Sequence, residues 1–277
     1  MGDVSPLQRQ SLSELIESGL LGSAHYSETT GSTNSDALQD LQSGHIPDDQ
    51  LPRLYLTDRQ TAGRGRQGNV WKSVGDSLTM SLVTTTEMTL PGWAFLSPGV
   101  GVAVARAIEY VCAPCRVGLK WPNDICALVM SPGGSEWVPR KLGGILIETA
   151  AAIPERTVIG IGLNLSQTPQ LDGTDQSAHP ISLVELTSRA VQPADVLVAV
   201  IESLVESITS LSQRPHEVLA EYRSRCVLSG KSLSLKQNDQ LIHGVCCGIS
   251  DDGSLELFID GQRRSFRSGE VRRVRSI

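Results

Sequence analysis

Apolar and polar positions alternate with two different rhythms along the chain. Leu78, Met80 and Leu82 alternate with Thr79 and Ser81, the period of a strand with one covered face. Short runs of the same kind predict strands over residues 54–58, 116–120, 141–148 and 157–165. A period near 3.6 marks helices. Val100, Val104, Ala107, Ile108 and Val111 fall on one face of a helix over 97–111. Val196, Leu197, Val200, Leu204, Ile208 and Leu211 do so over 193–211, and a further helix spans 217–225. Residues 1–30 are weakly patterned, with Leu12, Leu15, Ile16 and Leu20 lining a short helix. Ser32 or Thr33 can cap a helix reaching Leu41, and Thr33-x-x-Asp36 and Ser182-x-x-Glu185 both read as capping boxes.

The rhythm changes after Arg225. Five short strands are predicted over 227–236, 241–249, 254–259, 263–266 and 271–274, with turns at Asp251-Asp252-Gly253 and Asp260-Gly261. The expectation is an α+β chain: residues 1–225 form a mixed sheet with helices, and residues 226–277 a small all-β barrel.

The 277 residues suffice for one large and one small domain. A net charge of −6 gives no general basic field for nucleic acid. No apolar run reaches membrane-spanning length and no signal peptide opens the chain, so a cytoplasmic location is expected. Six irregularly spaced cysteines suggest reduced thiols. Cys112-Ala-Pro-Cys115 closes a helix, where the dipole raises rather than lowers a thiol's pKa, so it reads as two incidental thiols.

The densest chemistry lies in Gly63-Arg64-Gly65-Arg66-Gln67-Gly68. Glycine lets backbone N–H groups approach a ligand, and arginine offers a planar fork of donors to phosphate or carboxylate. Ordering two close cations calls for an anion. The spacing imitates a dinucleotide fingerprint, but a loop and the strand at 78–85 follow where that motif requires a helix. Gln60 just before the loop offers both donor and acceptor to a neutral amide- or urea-like group. Lys120-Trp121-Pro122-Asn123-Asp124 sets a lysine at a strand end, with Asn123 and Asp124 placed to brace the turn by Asx-type bonds. Gly143-Gly144 and Gly160-x-Gly162 interrupt strands, as happens where something approaches the backbone.

Taken together, Gly31-Ser32-Thr33-Asn34, residues 60–68, Lys120 to Asp124, residues 141–148 and Gly160 to Asn164 resemble the biotin–protein ligases in content and order. The resemblance implies a fold like the class II aminoacyl-tRNA synthetase core with a Src-homology-like C-terminal barrel. It implies activation of biotin by ATP to biotinyl-5′-AMP, with Mg²⁺ accompanying ATP and no metal held by protein ligands alone. Transfer to a lysine of a biotin carboxyl carrier protein would follow.

By the same resemblance, Ser32, Thr33, Asn34, Gln60, Gly63, Arg64, Gly65, Arg66, Lys120, Gly143 and Gly144 contact biotin or its adenylate. Arg66, Trp71, Lys120, Asn123 and Asn164 contact the nucleotide, and Arg66 and Lys120 are catalytic. The first motif begins near residue 31, which leaves no room ahead of it for a DNA-binding domain, so a monofunctional ligase is expected. A homodimer is compatible with the family. Three competitors share parts of the pattern: a lipoate or octanoyl ligase, a non-catalytic biotin sensor, and a nucleic-acid module using the arginines of residues 263–275.

Overall fold

The computed structural model describes residues 6–73, 77–86, 90–131, 133–150, 153–169 and 180–275. A seven-stranded mixed sheet organises the larger part. Its strands are β1 (Ser23–Thr30), β2 (Arg53–Gln60), β3 (Ser77–Thr85), β4 (Val117–Lys120), β5 (Asp124–Met130), β6 (Trp137–Ala150) and β7 (Ile153–Asn164). They lie in the order β1-β2-β3-β7-β6-β5-β4. β1 and β2 are parallel, joined through α2 (Thr33–Gln42), and every other neighbour is antiparallel.

Period-two alternation divides the core. Leu54, Leu56 and Leu82 face the main cluster, which also holds residues of α1 (Pro6–Glu17), α3 (Leu90–Val111), α5 (Pro193–Gln213) and α6 (Pro215–Arg225). Tyr55 and Val83, one position along, face Ala37 and Leu41 of α2 on the opposite side. The predicted Ser182 capping box forms at the start of α4 (Leu183–Thr187).

Four local expectations change. β1 was unforeseen, because its sequence Ser-Ala-His-Tyr-Ser-Glu-Thr-Thr is polar and lies half-exposed at a sheet edge. α3 starts at Leu90 and carries Pro98 inside it. It is also covered on several sides, since Val102, Ala103 and Ala105 are as buried as the expected stripe. Ser32 is the N-cap of α2 by backbone geometry, yet its side chain makes no capping bond. Asp36 instead accepts a hydrogen bond from Thr30 Oγ1 at 2.6 Å, so the box at Thr33 does not form.

The C-terminal strands are β8 (Ser232–Gln237), β9 (Gln240–Ile249), β10 (Leu255–Ile259), β11 (Gln262–Phe266) and β12 (Glu270–Arg275). They form an antiparallel sheet in the order β11-β10-β9-β8-β12. An extra residue at Cys247, followed by Gly248 at φ +123°, bends β9. This sheet docks against the edge strand β4. Val227 N–H donates to the Leu119 carbonyl at 3.0 Å, and Arg223 Nε donates to the Ile249 carbonyl at 2.7 Å. The same apolar cluster runs from the helices into β8, β9 and β10.

Arg263, Arg264 and Arg267 lie on the solvent side. The side chains of Arg272, Arg273 and Arg275 lie outside the described residues. Cys112 and Cys115 close α3 as expected, and burial raises both thiols, Cys115 to about 12, which opposes redox reactivity.

Candidate active site

A cavity of about 390 Å³ opens at the ends of β2, β3, β4, β6 and β7. At one end the groups are neutral. Gln60 Oε1 accepts the Thr33 backbone N–H at 2.8 Å, which directs the Gln60 amide nitrogen away from Thr33. Asn34 Nδ2 donates to the Leu146 carbonyl at 3.2 Å and to Glu148 Oε2 at 2.8 Å. Its Oδ1 accepts from Ser81 Oγ at 2.5 Å, and Ser81 Oγ lies 2.7 Å from Thr33 Oγ1. Gly160 creates the space for Asn34, because a methyl group there would overlap the Asn34 amide.

The other end is cationic. Lys141 Nζ donates to Asp124 Oδ1 at 2.5 Å, and Lys120 Nζ lies 3.7 Å from Asp124 Oδ2. Two ammonium groups thus share one carboxylate. Burial pulls the Lys141 pKa down, but the charge and hydrogen bond of Asp124 outweigh it and hold the group above its ordinary value. Arg66 makes no ion pair or side-chain hydrogen bond among the described residues, and burial lowers its pKa. It remains a guanidinium stripped of much of its water, with no anion beside it among the described residues.

Trp71 lies over Gly162, whose missing side chain admits the ring. Its Nε1 is buried without a partner among the described residues. Asn164 donates from Nδ2 to the Ile181 carbonyl at 3.2 Å, while its Oδ1 is likewise buried and unpaired among the described residues. Buried polar atoms left unpaired are costly unless a ligand satisfies them. The docked C-terminal sheet adds Gly269, Glu270 and Val271 to the rim.

Of the residues that the resemblance assigns to the site, Ser32, Thr33, Asn34, Gln60, Arg64, Gly65, Arg66, Trp71, Lys120, Asn123, Gly144 and Asn164 line this cavity. Gly63 and Gly143 do not. Gly63 serves the loop's own closure, where its carbonyl accepts the Trp71 N–H at 3.0 Å and a side chain would overlap the Trp71 backbone. Gly143 faces Gly162 and Leu163 across the ladder to β7, where a side chain would not fit. Asn123 and Asp124 make no Asx-type turn. Asn123 Nδ2 reaches the Ile145 carbonyl at 2.7 Å, and Asp124 holds the lysines.

Arg64 reaches the cavity, yet its guanidinium is engaged by Glu148 at 2.9 and 2.7 Å. Lys141, which lines the cavity, and Glu148, which holds Arg64 and Asn34, are the charged side chains here that the pattern did not single out. The residues do not fit a metal held by protein ligands. No group of three or more metal-ligating side chains occurs among the described residues, and the oxygens of Asp124 already face two lysines.

A mixed sheet whose cleft joins a neutral, hydrogen-bonding end to a cation-rich end is built to bring a small polar ligand against an anion such as phosphate. Residues 27–164 match the biotin/lipoate A/B protein ligase family. A biotin–[acetyl-CoA-carboxylase] ligase of Mycobacterium tuberculosis is 30% identical over 251 residues, covering 89% of this chain and 87% of the relative. An enzyme of the same name from Paracoccus denitrificans is 28% identical over 247 residues, covering 87% of this chain and 97% of the relative. The fold matches that of a biotin protein ligase from Aquifex aeolicus solved with biotin and ATP. The TM-score is 0.72 at 22% identity, covering 92% of this chain and 99% of that one. The chain belongs to the biotin/lipoate A/B protein ligase family.

Proposed function

We propose that this chain is a biotin–[acetyl-CoA-carboxylase] ligase. It activates biotin with ATP to biotinyl-5′-AMP and passes biotin to a lysine of a carrier protein. The observation that carries this reading is the pairing of a saturated neutral network at one end with Arg66 at the other, which has no anion beside it among the described residues. Biotin's fused rings are apolar apart from a small ureido group. The Gln60 amide nitrogen and the Ser32 hydroxyl are suited to meet that group. Met80, Ile145 and Ile161 supply apolar wall.

Biotin's carboxylate then lies toward the lysines and Arg66, where it attacks the α-phosphorus of ATP and diphosphate leaves. Two anions meet in this step, and negative charge builds on the phosphoryl oxygens. Arg66, Lys120 and Lys141 offset both, so catalysis is positioning and electrostatics with no protein nucleophile. The indole of Trp71 offers a face to the adenine, and Asn164 and Asn123 offer polar atoms beside it. Mg²⁺ enters with the ATP phosphates.

The glycine–arginine loop covers the mixed anhydride and keeps water from it. The acceptor lysine attacks the acyl carbon and AMP leaves. We place the carrier subunit of acetyl-CoA carboxylase as partner, divide the chain at 225/226, and assign it to the cytoplasm without a DNA partner. No helix among the described residues is long and apolar enough to cross a membrane.

The test is biotin transfer to a purified carrier domain with Mg-ATP, comparing wild type with Lys120→Ala and Arg66→Gly. Wild type labels the carrier, Lys120→Ala loses labelling, and Arg66→Gly sheds free adenylate onto bystander lysines. Wild type that binds biotin but never labels a competent carrier would overturn the reading in favour of a sensor.

A further inference from the structure

The loop over residues 61–72 folds into a small hairpin of its own. Gly65 N–H donates to the Asn69 carbonyl at 2.7 Å, and Arg64 bridges to Val70. Glycine-rich and carrying an exposed Val70, it meets the sheet through one large apolar group, the Trp71 ring over Gly162. From it, Arg64 extends to Glu148 and meets both carboxylate oxygens, at 2.9 and 2.7 Å. This fork-to-fork geometry is directional as well as attractive. Glu148 stands on β6, and its Oε2 also accepts the Asn34 amide at 2.8 Å.

That second bond has a consequence inside the cleft. With Nδ2 donating to Glu148 and to the Leu146 carbonyl, Asn34 must turn its Oδ1 toward Ser81. The single Ser81 proton is then spent on Asn34, at 2.5 Å. Thr33 Oγ1, the next hydroxyl at 2.7 Å, also lies 3.3 Å from Gln60 Oε1. One carboxylate is therefore tied at once to the loop outside and to the orientation of the neutral end within.

We infer that Glu148 is a positioning residue that latches the glycine–arginine loop over the cleft and ties its closure to the set of hydroxyl and amide groups facing the small ring. This assignment rests on the ligase reading for its ligand, biotin and its adenylate. It adds a retention device: the latch slows escape of the activated intermediate. Arg64 acts here as the moving half of the latch through Glu148, while Arg66 faces the adenylate.

The test uses the full chain loaded with biotin and Mg-ATP and freed of excess substrate. The loss of protein-bound biotinyl adenylate is followed for wild type, Glu148→Gln, Arg64→Ala and the double variant. Glu148→Gln keeps an oxygen for Asn34 and loses only the charge pair. It is expected to speed release roughly fivefold to tenfold. The double variant should release no faster than the faster single variant, because both singles break one contact. Glu148→Asp, with the charge kept and the reach shortened, should fall between wild type and Glu148→Gln.

Release unchanged in Glu148→Gln, or effects that simply add, would overturn the latch. A second measurement needs no activity: tryptic cleavage after Arg66 in the substrate-free protein should quicken in Glu148→Gln. Wild type that forms no adenylate would sink the ligase reading, and the cleavage rates would still decide the latch.

Discussion

At the neutral end of the cleft, Asn34, Ser81, Thr33 and Gln60 hold one another before any ligand arrives. At the cationic end, among the described residues, Arg66 has no anion and Trp71 Nε1 and Asn164 Oδ1 have no partner, while Lys120 and Lys141 share Asp124. The first end is finished and selects by shape and hydrogen-bond direction. The second is left incomplete, and a phosphate-bearing ligand completes it. Uncharged groups can be satisfied internally at little cost, whereas a cation paired too well in advance would have nothing left for a transition state.

The sharpest way to break this contrast is to remove the cations. Lys120→Ala, Lys141→Ala and Arg66→Ala should each lower kcat for adenylate formation about a hundredfold or more, with biotin affinity changing far less. Pyrophosphate-release kinetics and biotin titration read the two quantities. Comparable losses of both would show that the two ends are not separate.

A finer probe uses two glycines on one strand. Gly160→Ala pushes into Asn34, and Gly162→Ala pushes into the Trp71 ring. Overpacking of this kind costs about 1–3 kcal/mol. The first should raise KM for biotin roughly tenfold and spare ATP, and the second should do the reverse. A matched rise in both constants for either variant would blur the division.

Gln60→Glu tests the neutral end alone. It keeps an acceptor for the Thr33 N–H and replaces the amide nitrogen, which lies beside Gly63, with an acceptor oxygen. Biotin affinity should fall by several-fold, about 1–1.5 kcal/mol, in calorimetric titration, with melting temperature little changed. The smallest effect is expected from Trp121→Phe. It deletes the Nε1 bond to the Gly253 carbonyl at 3.2 Å, which ties the Lys120 corner to the C-terminal sheet. Stability should drop by about 1 kcal/mol in denaturant unfolding.

Much of this arrangement was legible in the order of residues, and the exceptions have physical causes. α5 announced itself because it has one covered face and hence a clean period, and β3 because apolar residues alternate with Thr79 and Ser81, although the structure buries both of its faces. β1 did not, because an edge strand with polar residues shows no alternation. The glycine–arginine loop carried its chemistry in residue type, whereas Gly31 to Asn34 read by itself as a helix cap and Lys120 equally as a surface cation, and only the family resemblance assigned them to the site.

Lys141 stayed hidden because Leu142 is an extra residue in the β5–β6 ladder, where Ile125 pairs with Gly143 and Cys126 with Lys141. That bulge turns Lys141 to the same side as Gly144, three positions away, which strict alternation forbids. Alternation also explains why only one of the paired glycines reaches the cleft. Glu148 was invisible for another reason: its role depends on Arg64 and Asn34, both remote in sequence.

The rim formed by Gly269, Glu270 and Val271 carries a consequence for synthesis. The first wall of the cleft is made at Ser32 and the last far down the chain, on the edge strand β12. A polypeptide leaving the ribosome can assemble the seven-stranded sheet and still hold a groove open on one side. Chemistry that depends on excluding water must then wait for the final strand to dock, so a nascent chain is spared from generating a reactive acyl phosphate before it can contain one.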